Sequence, residues 1–256
     1  MRGFIPPVDS EEIMFYKRAY SICERAEKTG KKVFSAFLDL RQKELFISRF
    51  NKFGSLKLSF YAGYAGDFER CIACVHTEYD EPLDYDYPIC VLHSYLYDGE
   101  KLTHRDFLGS LMGLMIKRDY IGDILVSDSE CFIVCHTNMA SIIKEELRTV
   151  KHSSTSFEEW YESVEYTRPI RQKKDVTVAS LRLDAVLSAV LNASRNETSR
   201  MIKQGNVAVN HLTAKKSDFE MFDGDVISVR GKGKYKIFCS GGKSKKDRLF
   251  ITYIKY

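Results

Sequence analysis

Arg195, Ser199, Arg200 and Lys203 recur at spacings that set them on one side of a helix, with Thr198, Met201 and Ile202 on the other. Guanidinium and ammonium groups in such a row neutralise consecutive phosphates, so the chemistry they imply is capture of a polyanion rather than bond making. Ser194 and Glu197 stand as a capping-box pair at the start of that helix, and Gly205 is placed to end it in a left-handed turn. Ahead of it, Leu183, Val186, Leu187, Val190 and Leu191 form the apolar arc of another helix, which Arg182 precedes and which Asp184 and Ser188 leave polar elsewhere. Further on, Arg230, Lys232 and Lys234 alternate with Gly231 and Gly233, and glycine beside a cation lets backbone and side chain approach a phosphate closely. Arg182, Arg195, Arg200 and Lys203 are expected to hold phosphates, with the Arg230–Lys234 loop as a second contact line. Ser194, Ser199, Lys215 and Lys216 complete the expected phosphate-binding set.

Charge is segregated along the chain in a way that supports this reading. Of 256 residues, the stretch 171–256 holds 18 Lys and Arg against 8 Asp and Glu, while the first 170 hold 21 against 27. A +10 segment on a −6 body is the footprint of a polyanion-binding part attached to a neutral-to-acidic one. Seven cysteines in an odd number and without a repeating frame are expected as reduced thiols. The first residues lack the apolar core of a secretion signal, and no apolar run approaches the roughly 18 residues of a membrane span. A cytoplasmic monomer that does not engage a membrane is expected.

Other clusters that could do chemistry fail on spacing or context. His104-Arg105-Asp106 imitates a kinase catalytic loop, but no asparagine stands five residues after the aspartate. Gly241-Gly242-Lys243-Ser244 imitates a phosphate-binding loop, yet Ile237 occupies the place of its first glycine. Cys71, Cys74 and His76 with Cys131, Cys135 and His136 could supply zinc ligands jointly. Both groups lie in apolar, strand-like runs, where cysteine is usually a small core residue, so no metal and no cofactor is expected. Tyr61, Tyr64, Tyr85 and Tyr87 read as core or loop packing ahead of base stacking.

The elements that must position these residues suggest an α+β chain of three small domains. Residues 9–28 and about 40–52 read as helices, and Leu56, Leu58 and Phe60 as a strand, giving an α/β unit over 1–80. Residues 81–165 read as strand (89–97), helix (103–117), strand (123–126), strand (131–136), helix (139–147) and a further strand within 150–165. This β-α-β-β-α-β order is that of RRM and ferredoxin-like domains. Cys131-Phe132-Ile133-Val134-Cys135 lacks the aromatic and basic-glycine signature of a base-reading third strand, so stacking on that sheet is not expected. Residues 166–178 read as a polar linker, and 179–256 as the basic domain: two helices, a strand at Val207–Val209, a turn at Phe222–Asp225, and further strands.

The module carried by Leu181-Arg182-Leu183-Asp184, Ser194-Arg195, Gly205-Asn206-Val207-Ala208-Val209-Asn210 and the stretch from Gly224 to Gly231 resembles the RNA-binding domain named after ribosomal small-subunit protein four. In that fold two helices and a hairpin form an L-shaped platform for folded RNA. With Leu102-Thr103-His104-Arg105-Asp106-Phe107-Leu108-Gly109, Ile116-Lys117-Arg118 and Ile121-Gly122-Asp123-Ile124-Leu125-Val126, nearly the whole chain is similar to the YlmH family of bacterial RNA-binding proteins. The resemblance implies a non-enzymatic factor that binds the large ribosomal subunit, its rRNA and peptidyl-tRNA. It would act in ribosome-associated quality control, where an alanine-tailing partner extends the blocked nascent chain. Glu69-Arg70-Cys71-Ile72 departs from the family's basic run, and Gly63-Tyr64-Ala65-Gly66 from its glycine pair. The rival is an RNA-modifying enzyme, since Arg182-Leu183-Asp184 also resembles the catalytic triplet of one pseudouridine synthase group. In that triplet, however, the aspartate is followed by a turn and not by Ala185-Val186-Leu187. An active site in residues 80–165 would draw on Cys90, His104, Asp106 or Asp123.

Overall fold

The computed structural model describes residues 5–66, 68–96, 101–164, 173–210, 212–244 and 247–255. They fall into two compact units, Phe4–Thr167 and Arg168–Tyr256.

The first unit opens with α1 (Ser10–Thr29), where Asp9 accepts the backbone N–H of Glu12 and left-handed Gly30 (φ 66°) ends the helix. Then come β1 (Val33–Leu38), α2 (Leu40–Phe50), β2 (Lys57–Tyr61) and β3 (Cys71–His76). Asp39 and Gln42 form a reciprocal capping box on α2. The strands make an antiparallel sheet in the order β1-β3-β2, and every residue of the central strand is buried. Ala73 and Val75 face Ala19, Cys23, Ala26 and Phe46 of the two helices, whereas Ile72 and Cys74 join Phe37 on the other side. A strand covered on both faces needs a continuous apolar run, which Cys71–Val75 supplies.

Next follow β4 (Ile89–Tyr95), α3 (His104–Gly113), β5 (Ile121–Val126), β6 (Glu130–His136), α4 (Thr137–Glu146), a small hairpin of β7 (Thr149–Val150) and β8 (Ser153–Ser154), and β9 (Glu158–Glu159). The antiparallel order β5-β6-β4-β9 is that of the β-α-β-β-α-β arrangement. One face carries α3 and α4 over Leu92, Cys131, Ile133 and Cys135. The other shares an apolar cluster with the first sheet, in which Phe37, Tyr64, Ile72 and Cys74 meet Leu125, Phe132 and Val134. The boundary expected near residue 80 therefore lies inside one compact unit.

The second unit contains β10 (Lys173–Val178), α5 (Leu183–Leu191), α6 (Arg195–Lys203), β11 (Val207–Val209), β12 (Leu212–Thr213), β13 (Val226–Val229), β14 (Gly233–Lys243) and β15 (Leu249–Lys255). The sheet order is β10-β15-β14-β13-β11-β12. Residues 173–178, read from sequence as part of a linker, pair along β15 from Lys173 opposite Ile254 to Val178 opposite Leu249. The segment reads as polar because it is an edge strand, with only Val178 fully buried. The rest of the expected linker lies outside the described residues. Among the described residues no helix is long and apolar enough to cross a membrane.

Candidate nucleic-acid interface

The two helices of the second unit pack on one face of its sheet. Leu183, Val186, Leu187 and Val190 of α5 and Ile202 of α6 meet Val207, Val209, Ile227, Val229, Ile237 and Ile251 in a single apolar core. Thr198 is fully buried, and its hydroxyl donates to the carbonyl oxygen of Asp184 at 3.2 Å, which ties α6 to α5. With Thr198 and Ile202 facing inward, the helix period turns Arg195, Arg200 and Lys203 outward, and all three are exposed. Ser194 is exposed and Ser199 half-buried.

Local chemistry at the ends of α6 is uneven. The Ser194 hydroxyl accepts the N–H of Glu197 at 3.1 Å. The reciprocal half of the expected capping box is replaced: the Glu197 carboxylate lies 3.6 Å from Lys232 Nζ instead. Gln204 closes the helix and Gly205 follows with φ 73°, the left-handed stop its position demanded. Arg200 and Lys203 lie in the last turn, where cations complement the helix dipole, but Arg195 occupies the first position, where a cation opposes it.

The Glu197–Lys232 contact brings the β13–β14 turn beside the start of α6, so the two expected contact lines adjoin. Arg230 and Lys232 are exposed in that turn and Lys234 is half-buried, while Lys215 and Lys216 are exposed after β12. Arg182 is the residue before α5 and lies against Asp184, with Nε 3.1 Å and Nη2 3.3 Å from the two carboxylate oxygens. Asp184 itself is buried in the first turn of α5 and also accepts the N–H of Ala185.

Asp106 and Asp123, two of the residues that other chemistry would need, are engaged in structure. Asp106 accepts both the N–H and the hydroxyl of Thr103 at the start of α3 and pairs with Lys151 at 3.0 Å. Asp123 accepts the Tyr64 hydroxyl at 2.7 Å and the Glu69 N–H at 2.8 Å. Cys90 is half-buried opposite Cys135, and His104 is exposed on α3. Arg70 is buried and donates to the carbonyls of Phe37 and Ile121, a role its sequence position did not signal. Burial pushes the Cys71 thiol up to about 11 and Cys74 up to about 12, away from the thiolate a metal requires. Among the described residues no three His, Cys, Asp or Glu side chains are grouped to hold a metal. Tyr64 and Tyr87 are core residues, whereas Tyr85 is 81% exposed.

Comparison with known proteins shows what this chain is similar to. The family described as "Putative RNA-binding domain in YlmH" matches residues 82–163, and the S4 domain matches residues 181–227. The chain carries a YlmH-type RNA-binding domain followed by an S4 domain. It is 29% identical over 219 residues to "Ribosome-associated protein quality control protein P2" of Bacillus subtilis (strain 168), a match covering 85% of this chain and 84% of that protein. The solved structure of "Cell division protein ylmH from Streptococcus pneumoniae" superposes with a TM-score of 0.53 at 20% identity. That superposition covers 62% of this chain and 96% of the other, a likeness of fold alone. The S4 match spans α5, α6, β11 and β12 and runs into β13, and so contains Arg195, Arg200 and Lys203.

Proposed function

We propose that this chain is a non-enzymatic RNA-binding factor of the YlmH type that docks on the large ribosomal subunit through the exposed face of α6 and the adjoining β13–β14 turn. It would contact rRNA and peptidyl-tRNA in the cytoplasm, as a monomer, and assist rescue of stalled translation beside an alanine-tailing partner. The observation that carries the reading is the outward row Arg195, Arg200 and Lys203, with Lys232 brought next to its start by Glu197. Arg195 adds support: a cation at the positive end of a helix dipole costs stability, and a phosphate ligand offsets that cost. The ribosome-associated name of the Bacillus subtilis relative supports the ribosome as the partner. A non-catalytic role fits the structural use of Asp106, Asp123 and Asp184 described above.

The test is co-sedimentation with ribosomes. Arg195→Glu combined with Lys203→Glu should abolish it while far-UV circular dichroism stays unchanged. Wild-type affinity should fall steeply with salt, log K dropping by roughly 0.7–0.9 per phosphate contact for each log unit of salt. Unchanged sedimentation of the double variant, or salt-independent binding, overturns the reading.

A further inference from the structure

The face of the six-stranded sheet that α5 and α6 do not cover carries its own pattern. Along β14 and β15, Tyr235, Ile237, Ile251 and Tyr253 point into the core. The alternate residues point away, and cross-strand register puts Phe238 opposite Thr252, Lys236 opposite Ile254, and Lys173 of β10 opposite Ile254 on its other side. Phe250, beside Thr177, is 42% exposed, and Phe238 is half-buried. The ammonium of Lys236 lies 5.5 Å from the Phe238 ring centre and that of Lys173 lies 5.9 Å from it. The Phe238 ring with two cations beside it and the exposed Phe250 ring thus sit on the sheet face that α5 and α6 leave uncovered. An acid on this face, Asp175, accepts the Thr252 hydroxyl at 2.6 Å.

We infer that this sheet face is a second RNA contact, specific for single-stranded RNA, on which bases stack against Phe250 and Phe238 while Lys173 and Lys236 bind the flanking phosphates. Open sheets that bind single strands combine these same elements, an aromatic platform and cations spaced along the backbone path. Charge selects the occupant: lysines beside a half-buried ring and a neighbouring exposed ring favour a polyanion with π-faces. Asp175, already accepting one hydrogen bond, keeps a second oxygen for a base amino or imino group and disfavours a phosphate directly above it. The inference rests on the RNA-binding reading of this unit, though not on α6.

The test uses the full chain and a fluorescent single-stranded oligouridylate, with a 2-aminopurine-labelled oligonucleotide reporting stacking. Phe238→Leu with Phe250→Leu keeps apolar side chains but removes the stacking rings, and should weaken oligonucleotide binding about tenfold or more and abolish 2-aminopurine quenching. Binding of an RNA duplex should be unchanged. Lys173→Ala with Lys236→Ala, exposed or half-exposed positions that leave the core intact, should flatten the salt dependence by about 1.4 in log K per log unit of salt. Wild-type oligonucleotide affinity and quenching in the Phe pair, or an unaltered salt slope in the Lys pair, overturns the inference. The α6 variant separates the two readings: Arg195→Glu with Lys203→Glu should retain quenching even where ribosome binding is lost.

Discussion

Arg182 and Asp184 form a two-point contact across one intervening residue, with the carboxylate buried and the guanidinium half exposed. The pair joins the start of α5 to the strand bridge between Arg182 and Glu220, where the N–H of Leu183 donates to Phe219 and that of Asp184 to Ser217. Asp184 is therefore a structural acid that anchors the helix carrying the rest of the platform. Asp184→Asn should lower unfolding free energy by about 1–3 kcal/mol, read from the urea midpoint, because a buried donor and acceptor set is broken. With part of its charge already matched, Arg182→Ala should weaken RNA binding less than Arg195→Ala. The reverse order in a filter-binding series would show that Arg182 acts as a free cation.

Glu197 holds Lys232 while lying among the cations of the proposed interface. Exposed pairs of this kind contribute little stability, so Glu197→Gln should change unfolding free energy by no more than about 0.5 kcal/mol. Removing the negative charge should strengthen RNA binding about twofold at low salt, an effect that fades as salt screens it. Weaker RNA binding at low salt would mean that the orientation of Lys232 outweighs the repulsion.

In the first unit Arg41 is buried and grips both carboxylate oxygens of Glu12, each at 2.9 Å, while also donating to the carbonyls of Ile5 and Pro6. The hydrogen bond from Arg41, helped by the Val8 N–H, holds the Glu12 carboxyl below the ordinary glutamate value of 4.5. A depressed carboxyl contributes stability that is present above 4.5 and is lost as pH falls through the lower folded value. Thermal melts from about pH 7 to about pH 3 should show Glu12→Gln less stable at neutral pH and less sensitive to acid than the parent. Parallel profiles would remove Glu12 from the acid response.

Gly122 lies where the two sheets of the first unit meet, and a Cβ there would come within 2.7 Å of the Phe37 ring and 3.1 Å of Val134. Gly122→Ala should cost about 1–3 kcal/mol through overpacking. Gly109, in α3, has open space around the same position, so Gly109→Ala should be neutral or stabilising by up to about 1 kcal/mol. Equal effects at the two glycines in differential scanning calorimetry would contradict close packing of the sheets.

The sequence alone determined the elements whose information is local. The apolar arc of α5, the Ser194 cap, the Gly205 stop and the outward cations of α6 follow from period and turn chemistry within about twenty residues, and so does the β-α-β-β-α-β order. Tertiary structure decided what depends on distant partners. Lys173–Val178 looks like linker until β15, more than seventy residues away, supplies its ladder. Arg70 and Asp123 look like surface or catalytic polar groups until the carbonyls of Phe37 and Ile121, the Tyr64 hydroxyl and the Glu69 N–H close around them. The meeting of Glu197 with Lys232, which joins the two cationic lines into one surface, needs the β13–β14 turn folded back beside α6, and no spacing in the chain encodes that approach.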